Sequence, residues 1–509
     1  MPKTFKVGTR GSLLALTQCQ QIVQELAEKT GDSFELEIIK TQGDLNTSVP
    51  LWQMEGQNFF TKELDQALIA KRVDMVVHSY KDLGSIRPDE LEIAAITKRR
   101  YVQDILLIKK ETVKKLTDLD TFTVGTSSPR RIANAPYLKN YLPGIKKDLK
   151  IQTKTLRGNV NTRIGKLQNG EYDAIILALA GIERLALSEK SKAELTPLLK
   201  GLDFMIMPLT NFPSAASQGA LAIEVLKENT KLKEKLKVVQ DENTVSEIKR
   251  ERKAFNEYGG GCHLAVGINV KKVGPYYLHV HQGEFENKRL DLKKLERLEE
   301  IDLPKGLPYF LGMPSGPEQA VYDQLILKSP LIPKEKQNAH FYVTTSHALT
   351  AFAEIFDGGT VWAAGNGTMK KLAEKGYWVQ GCADSLGDTA INQLKNSKAI
   401  QMMLKDLPWK VLTNVEGSST VGEVIPSYTR KIVEVDSKFE KSILNCQIFF
   451  WASYYQYQQY VNQFPEIKDR YHACGLGKTL AQFEDKNIKV TPFSSFKEFL
   501  NYIKDENHG

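Results

Sequence analysis

Cysteine is scarce in this chain: its 509 residues hold five, Cys19, Cys262, Cys382, Cys446 and Cys474. The number is odd and no CxxC pair occurs, which argues against a disulfide framework and a zinc site, so any special thiol acts alone. Long hydrophobic runs are missing too. No stretch approaches the roughly 20 apolar residues that span a bilayer, and the opening MPKTFKVGTRGSLLAL lacks the basic, apolar and small-residue regions of a secretory signal. The expected address is cytoplasmic, away from membranes. Also absent is the clustered Lys/Arg with interleaved aromatics that marks a nucleic-acid face, although 69 Lys+Arg against 61 Asp+Glu leave a formal charge of +8. The arginines sit singly or in pairs at strand-to-helix turns, which suits discrete carboxylates or phosphates.

What is present reads as several ordinary globular domains, since the length exceeds one core and 41% of residues are hydrophobic against 26% charged. Short apolar strands alternate with helical patterns over the first two hundred residues, the rhythm of α/β units. FKVGT reads as a strand and the following SLLALTQCQQIVQELAEKTG as a helix with the stripe Leu16, Cys19, Val23 and Leu26, which places Cys19 in the core. Further strands are expected at Glu35–Lys40, Asp74–His78, Asp104–Ile108, Thr121–Gly125 and Asp173–Leu177. From about Val225 a charged helix, a glycine loop and two alternating stretches predict a small α+β domain. The charged, proline-terminated ENKRLDLKKLERLEEIDLPKGLP reads as a linker helix, with the main boundary near Pro304. Beyond it two similar blocks, each strand, turn, helix, strand, Gly-x-Gly turn and helix, predict two related α/β subdomains.

Four stretches invite chemistry, each with a plainer alternative. DMVVHSYKDLGS carries an apolar strand into Lys81 and Asp82, so Asp82 either steadies a developing positive charge where α/β folds place ligands or forms a solvated turn pair with Lys81. FTVGTSSPRRIANA puts Thr126, Ser127 and Ser128 before a helix bearing Arg130 and Arg131, which is an anion site or an ordinary capped helix. With Arg10, Arg157, Arg163 and Arg184, six arginines lie near strand ends, more than chance placement explains without a ligand bearing several carboxylates. In EYGGGCH three glycines precede Cys262; they admit a bulky group to the sulfur or form a flexible hinge with an incidental thiol.

Taken together, TRGSLLAL, FFTKELDQAL, VVHSYKDL, VGTSSPRR, TLRGNVNTR, NGEYDAIILALAGIERL, SQGALAIE and GGGC, in this order over roughly residues 4–290, closely resemble the hydroxymethylbilane synthase (porphobilinogen deaminase) family. The resemblance implies a periplasmic-binding-protein-like pair of α/β domains around a cleft, residues 1–100 with 200–222 and residues 101–199, plus an α+β domain over 223–295 that carries the cofactor cysteine. It implies a dipyrromethane held by a thioether to Cys262, porphobilinogen as substrate and hydroxymethylbilane as product. Asp82 matches the family's catalytic carboxylate. Lys81, Asp82, Thr126, Ser128, Arg130 and Arg131 match cofactor-binding positions. Arg10, Ser12, Lys62, Arg157, Arg163 and Arg184 match positions that hold substrate or chain carboxylates. Two departures remove cations: Gln57 stands where the family commonly has the lysine of a Gly-Gly-Lys-Gly loop, and Gln103 where it has the arginine of Asp-Pro-Arg-Asp.

Residues 296–509 resemble the uroporphyrinogen-III synthase family through VTTSHALTAF, AAGNGTMKKLAEKG and ACGLGKTLAQFEDKNI. That resemblance implies a two-subdomain α/β module that cyclises the linear product, with Ser346, Thr368 and Thr479 as binding candidates. WASYY replaces the second Thr-Ser turn, so a degenerate, non-catalytic module is the alternative. No metal is expected, and the chain is expected to act as a monomer. Two rivals remain: a non-enzymatic anion receptor, which would carry no added mass at Cys262, and a basic nucleic-acid binder, which would show steep salt dependence.

Overall fold

Apolar strands followed by amphipathic helices set the architecture from the first residues. The computed structural model describes residues 3–41, 61–145, 148–261 and 263–504; Cys262 and Gln57 lie outside the described residues. Strand β1 (Thr4–Thr9) leads into a helix, Leu13–Thr30, whose first turn is capped by the Ser12 hydroxyl and whose end is closed by Gly31 at φ 71°. Its buried stripe runs through Cys19, Ile22 and Leu26, with Leu16 and Val23 flanking it half-buried. Burial pushes the Cys19 thiol up to about 12, as befits a core residue.

Strands β2 (Ser33–Ile38) and β3 (Met75–Ser79) lie parallel on either side of β1, and β4 (Leu91–Ile96) forms the far edge of this first sheet. The chain then crosses into a second sheet built from β5 (Asp104–Lys109), β6 (Thr121–Gly125), β7 (Lys150–Lys154), β8 (Ala174–Ala178) and β9 (Leu202–Ile206). It returns through residues 207–220 to enter the first sheet as β10 (Leu221–Leu226), antiparallel between β3 and β4. The orders, β2-β1-β3-β10-β4 and β7-β6-β8-β5-β9, correspond strand for strand, with the strand following each crossover in the same antiparallel place.

Two expected boundaries move. Strand β9, expected with the first domain, pairs along its length with β5 because Phe204, Met205 and Ile206 bury in the second core. Strand β10 runs past residue 222 and belongs wholly to the first sheet.

The helix Glu242–Glu257 packs on a three-stranded antiparallel sheet, β11 (Val266–Val273), β12 (Tyr276–Phe285) and β13 (Lys288–Glu296). Strand β13 corrects the expected linker helix. Glu286 and Asn287 both take positive φ, 51° and 59°, the two-residue turn that matches strand twist. Leu290 and Leu292 then alternate with charged residues at the strand period of two, paired with Gly283 and His281.

Residues beyond 304 form two more sheets. Strands β14 (Tyr309–Leu311) and β15 (Val321–Tyr322) begin one of them; β16 (Ile326–Pro330), β17 (Gln337–Val343), β18 (Phe356–Ala363), β19 (Gly381–Cys382), β20 (Trp409–Asn414) and β21 (Glu423–Ile432) form the other; β22 (Ile448–Trp451), β23 (Tyr471–Gly475) and β24 (Thr491–Phe493) complete the first. In β17–β18–β19 the strands are joined by the helices Leu349–Ile355 and Asn366–Glu374; in β22–β23–β24, by Tyr454–Gln463 and Lys478–Asp485. This module docks firmly on the second domain. Ile206 N donates to Gln380 O at 2.6 Å and Trp378 Nε1 to Phe204 O at 3.0 Å. The buried Glu183 carboxylate accepts from Ser397 Oγ at 2.6 Å and Ala399 N at 3.0 Å, and Asp384 accepts from Leu209 N at 2.9 Å and Thr210 Oγ1 at 3.0 Å. No helix among the described residues is long and apolar enough to cross a membrane.

Candidate active site

The buried run Met75, Val76 and Val77 drives β3 through the first core, and one 3-10 turn, Tyr80–Asp82, follows at its carboxyl end. Asp82 is exposed there. Lys81 reaches inward, its Nζ donating to Gln218 Oε1 at 3.4 Å. Burial pulls the Lys81 ammonium down to about 8 against the opposing charge of Asp82, with Arg131 and Arg130 adding to the fall and Asp104 resisting it.

Arg130 and Arg131, on the helix Pro129–Asn134 after β6, turn to one buried carboxylate. Asp104 accepts from Arg130 Nη1 and Nη2 at 2.7 and 3.1 Å and from Arg131 Nε and Nη2 at 2.9 and 2.7 Å. Gln218 Nε2 adds a further bond to Asp104 at 2.9 Å. Burial penalises this carboxylate, but the two guanidiniums outweigh it and hold Asp104 well below the ordinary carboxylate range. Of the hydroxyls beside them, Thr126 accepts from Ser128 N at 3.2 Å, while Ser127 donates to Leu156 O and accepts from Leu156 N. Ser128 makes no side-chain cap bond to its helix.

Arg157 and Arg163 approach the same place. Burial first, and then the nearby Arg131 and Arg157, lower Arg163 to about 10, with Asp82 opposing them. Lys81, Asp82, Arg130, Arg131, Arg157 and Arg163 thus form one electrostatically coupled group. The structure does not place every expected residue in it. Ser12 caps its helix, Lys62 begins the helix Lys62–Ile69 as an exposed residue, and Arg10 follows β1 half-buried. Arg184 belongs to the crossover: its Nη2 donates to Gly219 O at 2.7 Å, and burial with the neighbouring Arg100 lowers it to about 9. Gln103 contributes its backbone, accepting from Leu179 N.

The Asp82 turn is held against the helix that leads to Cys262. Arg252 on that helix donates to Leu83 O at 3.1 Å and lies over the Tyr80 ring, and Ser85 Oγ donates to Asn256 Oδ1 at 2.6 Å. Beyond the helix, Gly259, Gly260 and Gly261 all take left-handed angles, φ 89°, 59° and 88°, which three side-chain-bearing residues would adopt only with strain. Tyr258 OH is 3.0 Å from His281 Nδ1 and fixes the start of that run. Nearby, Glu251 binds Arg99 through both oxygens at 2.9 and 2.8 Å and accepts from Ser217 N and Val270 N, which ties the first domain, the crossover and the third domain together. Gly219 in this crossover has φ 91°, and a Cβ there would lie 2.0 Å from Arg100 O.

Asp104, Gln218 and Glu251 were not among the residues expected from the sequence. Asp104 had a visible signal, a charge heading the apolar run DILLI, where burial demands a partner. Gln218 and Glu251 act through partners distant in the sequence, Asp104 for the one and Arg99 for the other, and had none.

Residues 5–234 match the family model described as porphobilinogen deaminase, dipyromethane cofactor binding domain. A probable porphobilinogen deaminase of Methanocella arvoryzae is 38% identical over 273 residues, covering 53% of this chain and 81% of that protein. The chain belongs to the porphobilinogen deaminase family. The porphobilinogen deaminase of Streptococcus sanguinis is also 38% identical, over 277 residues, 54% of this chain and 84% of its own length. Family membership makes this a hydroxymethylbilane synthase of tetrapyrrole (heme) biosynthesis with a dipyrromethane cofactor-binding domain. Among solved structures, a polar amino acid ABC uptake transporter substrate binding protein from Streptococcus thermophilus shows 13% identity over 50% of this chain and 82% of that one, with a TM-score of 0.25, too low to carry any argument.

In the C-terminal module, Ser346 opens the turn after β17 and its Oγ accepts from Lys371 Nζ at 3.3 Å. Thr368 and Thr479 lie in the first turns of the helices headed by Gly365 and Gly477. Both glycines abut Ser385: a Cβ on Gly365 would stand 2.7 Å from Ser385 Oγ, and one on Gly477 2.5 Å from Ser385 O. The two helix starts therefore converge on one loop.

Proposed function

We propose that residues 1–295 polymerise four porphobilinogen molecules into hydroxymethylbilane, releasing ammonia, on a dipyrromethane carried by Cys262, and that the C-terminal module cyclises the product to uroporphyrinogen III. The observation that supports the first part is the contact of the Asp82 turn with the helix entering Gly259–Gly261, made through Arg252 and Asn256.

The residues fit a polycarboxylate group. Asp104 compensates Arg130 and Arg131, whereas Lys81 and Arg163 are both lowered by burial beside other cations, a site that gains from added negative charge. Lys81, Arg157 and Arg163 would hold its carboxylates. When bound, the dipyrromethane supplies the terminal pyrrole carbon that is extended. Asp82 accepts a hydrogen bond from the pyrrole N–H of the incoming substrate and stabilises the positive charge that develops as ammonia leaves. The Glu251–Arg99 junction keeps the cofactor-bearing domain registered to both others while the chain grows. Cys262 serves as an anchor kept through every turnover.

The reading of the C-terminal half rests on its two matched strand-helix blocks and on the convergence of the Gly365 and Gly477 helix starts, where backbone N–H groups can hold carboxylates without an acid or base. Incubating the purified chain with porphobilinogen and identifying the uroporphyrinogen isomer tests both halves. Type III without added enzyme supports both activities; type I alone refutes cyclisation and leaves a working deaminase. Intact mass provides the anchor's test: Cys262→Ser is expected to yield a chain without the added dipyrromethane, and retained tetrapyrrole synthesis by that variant would sink the assignment.

A further inference from the structure

Both arms of the Asp82 turn are fastened to one buried carboxylate, Glu224 on β10. Upstream, His78 on β3 lies diagonally across the ladder, and its Nε2 is 3.0 Å from Glu224 Oε2. Downstream, Arg87 presents its fork to the same group: Nε donates to Oε1 at 2.9 Å and Nη2 to Oε2 at 2.7 Å. The Glu224 side chain is fully buried. The ladder from β10 to β4 slips its register between Ile223 and Glu224, an irregularity of the kind that re-aims a side chain.

Arg87 reaches beyond Glu224. Its Nη2 also donates to Asp65 Oδ1 at 2.5 Å and its Nη1 to Thr61 Oγ1 at 3.4 Å, both at the start of the helix Lys62–Ile69. One guanidinium therefore joins the loop after Asp82, strand β10 and the helix that carries Lys62. The other side of the same loop is held by the third domain, through Leu83 O to Arg252 and Ser85 to Asn256. Burial penalises the Glu224 carboxylate, but His78 and Arg87 outweigh it and hold it below its ordinary range; for Asp65, burial outweighs Arg87 and raises it.

We propose that Arg87 is a positioning residue for the deaminase reaction, aiming the Asp82 carboxylate at the pyrrole N–H by fixing the downstream arm of its turn to Glu224 and Asp65. The proposal rests on the reading that Asp82 is the catalytic carboxylate. A buried ion pair adds little stability over apolar residues of the same volume, whereas a bidentate fork fixes direction as well as distance. A displacement of about 1 Å at a reacting group costs as much as ~100-fold in rate. Asp82 is exposed on a single 3-10 turn, so the two flanking arms set its place.

The test uses the full-length, cofactor-loaded chain, with hydroxymethylbilane formation normalised to the fraction that carries the cofactor mass. Arg87→Met is expected to lower kcat ~10–100-fold while KM for porphobilinogen stays within about threefold. Arg87→Lys keeps the charge and loses the fork, and its kcat is expected between those of Arg87→Met and the parent. Because Arg87→Met alone strands Glu224 and Asp65, a second variant combines it with Glu224→Gln. This pair is expected to melt closer to the parent and still to turn over at least ~10-fold more slowly. Arg72→Gln, which breaks an exposed pair with Glu37 in the same domain, is expected to stay within about twofold. Parent-like kcat in the combined variant assigns Arg87 to charge balance and overturns the proposal, as does a raised KM with unchanged kcat in Arg87→Met. Asp82→Asn, measured alongside, separates the two claims. Slow turnover there beside near-normal turnover in Arg87→Met leaves Asp82 catalytic and overturns the positioning role alone. Near-normal turnover in Asp82→Asn refutes the catalytic reading and the positioning role with it.

Discussion

Replacing Asp104 with asparagine keeps the side-chain shape and removes one charge from the centre of the deaminase site. The carboxylate is 1% exposed, and Arg130 and Arg131 are 6% and 9% exposed, so the substitution leaves two guanidiniums buried side by side without a counter-charge. One amide hydrogen-bond donor would also point into one of them. Breaking a buried ion pair by removing one partner costs about 3–5 kcal/mol, and with two cations stranded the upper part of that range is expected. At a urea slope of about 1–3 kcal/mol/M this moves the midpoint of the transition containing the second domain down by ~1–5 M. The pH dependence has a fixed sign. Because the folded-state carboxylate is held below its unfolded value, its contribution is fully present above the ordinary carboxylate range near ~4 and is lost as pH falls below it. The parent and Asp104→Asn should therefore converge in stability towards acid. Urea titrations of cofactor-free protein at neutral and acid pH measure both effects. A loss under about 1 kcal/mol at neutral pH, or a gap that widens on acidification, would refute the reasoning that this carboxylate holds the two arginines in place.

Asp82→Asn is expected to give a chain that keeps its cofactor mass and binds porphobilinogen but elongates at least ~100-fold more slowly in single-turnover measurements, the scale of one well-placed charged group; near-normal turnover would refute its role. In cofactor-free chain, Lys81 loses its proton as pH rises through about 8, so the affinity for porphobilinogen should fall through that range and Lys81→Arg should abolish the inflection. Glu183→Gln weakens charge-assisted bonds to Ser397 and Ala399, and the module's unfolding midpoint should drop by an amount equivalent to ~1–3 kcal/mol while hydroxymethylbilane formation stays within about twofold, read by parallel denaturation and product assays.

The grouping of several candidate residues was legible because they occupy strand ends. Asp82 follows a run of buried apolar residues, and Arg131, Arg157 and Arg163 gather where α/β strands finish. What the pattern could not reveal is how their charges are divided. Nothing local to VGTSSPRR says that both arginines turn inward to Asp104, because that carboxylate heads a strand from an earlier passage of the chain. The misplaced linker helix has a similar cause. Long charged side chains over residues 288–296 suit an exposed helix equally well, and only the Leu290 and Leu292 alternation, together with a turn of two left-handed residues, decides for a strand. Strand β9 was misassigned because sequence proximity to the crossover says nothing about which sheet has room for Phe204 and Ile206.

The hydrogen bond from Ile206 to Gln380 joins two sheet margins, β9 at the border of the second domain and β19 at the border of the module. Unpaired margins of this kind are templates for intermolecular strand addition. Here each shields the other, and Gly381 leaves room for Ile206 to press against it. The module thus has a protective duty separate from any chemistry of its own. Removing the module would therefore uncover the β9 margin of the deaminase half and leave it open to self-association.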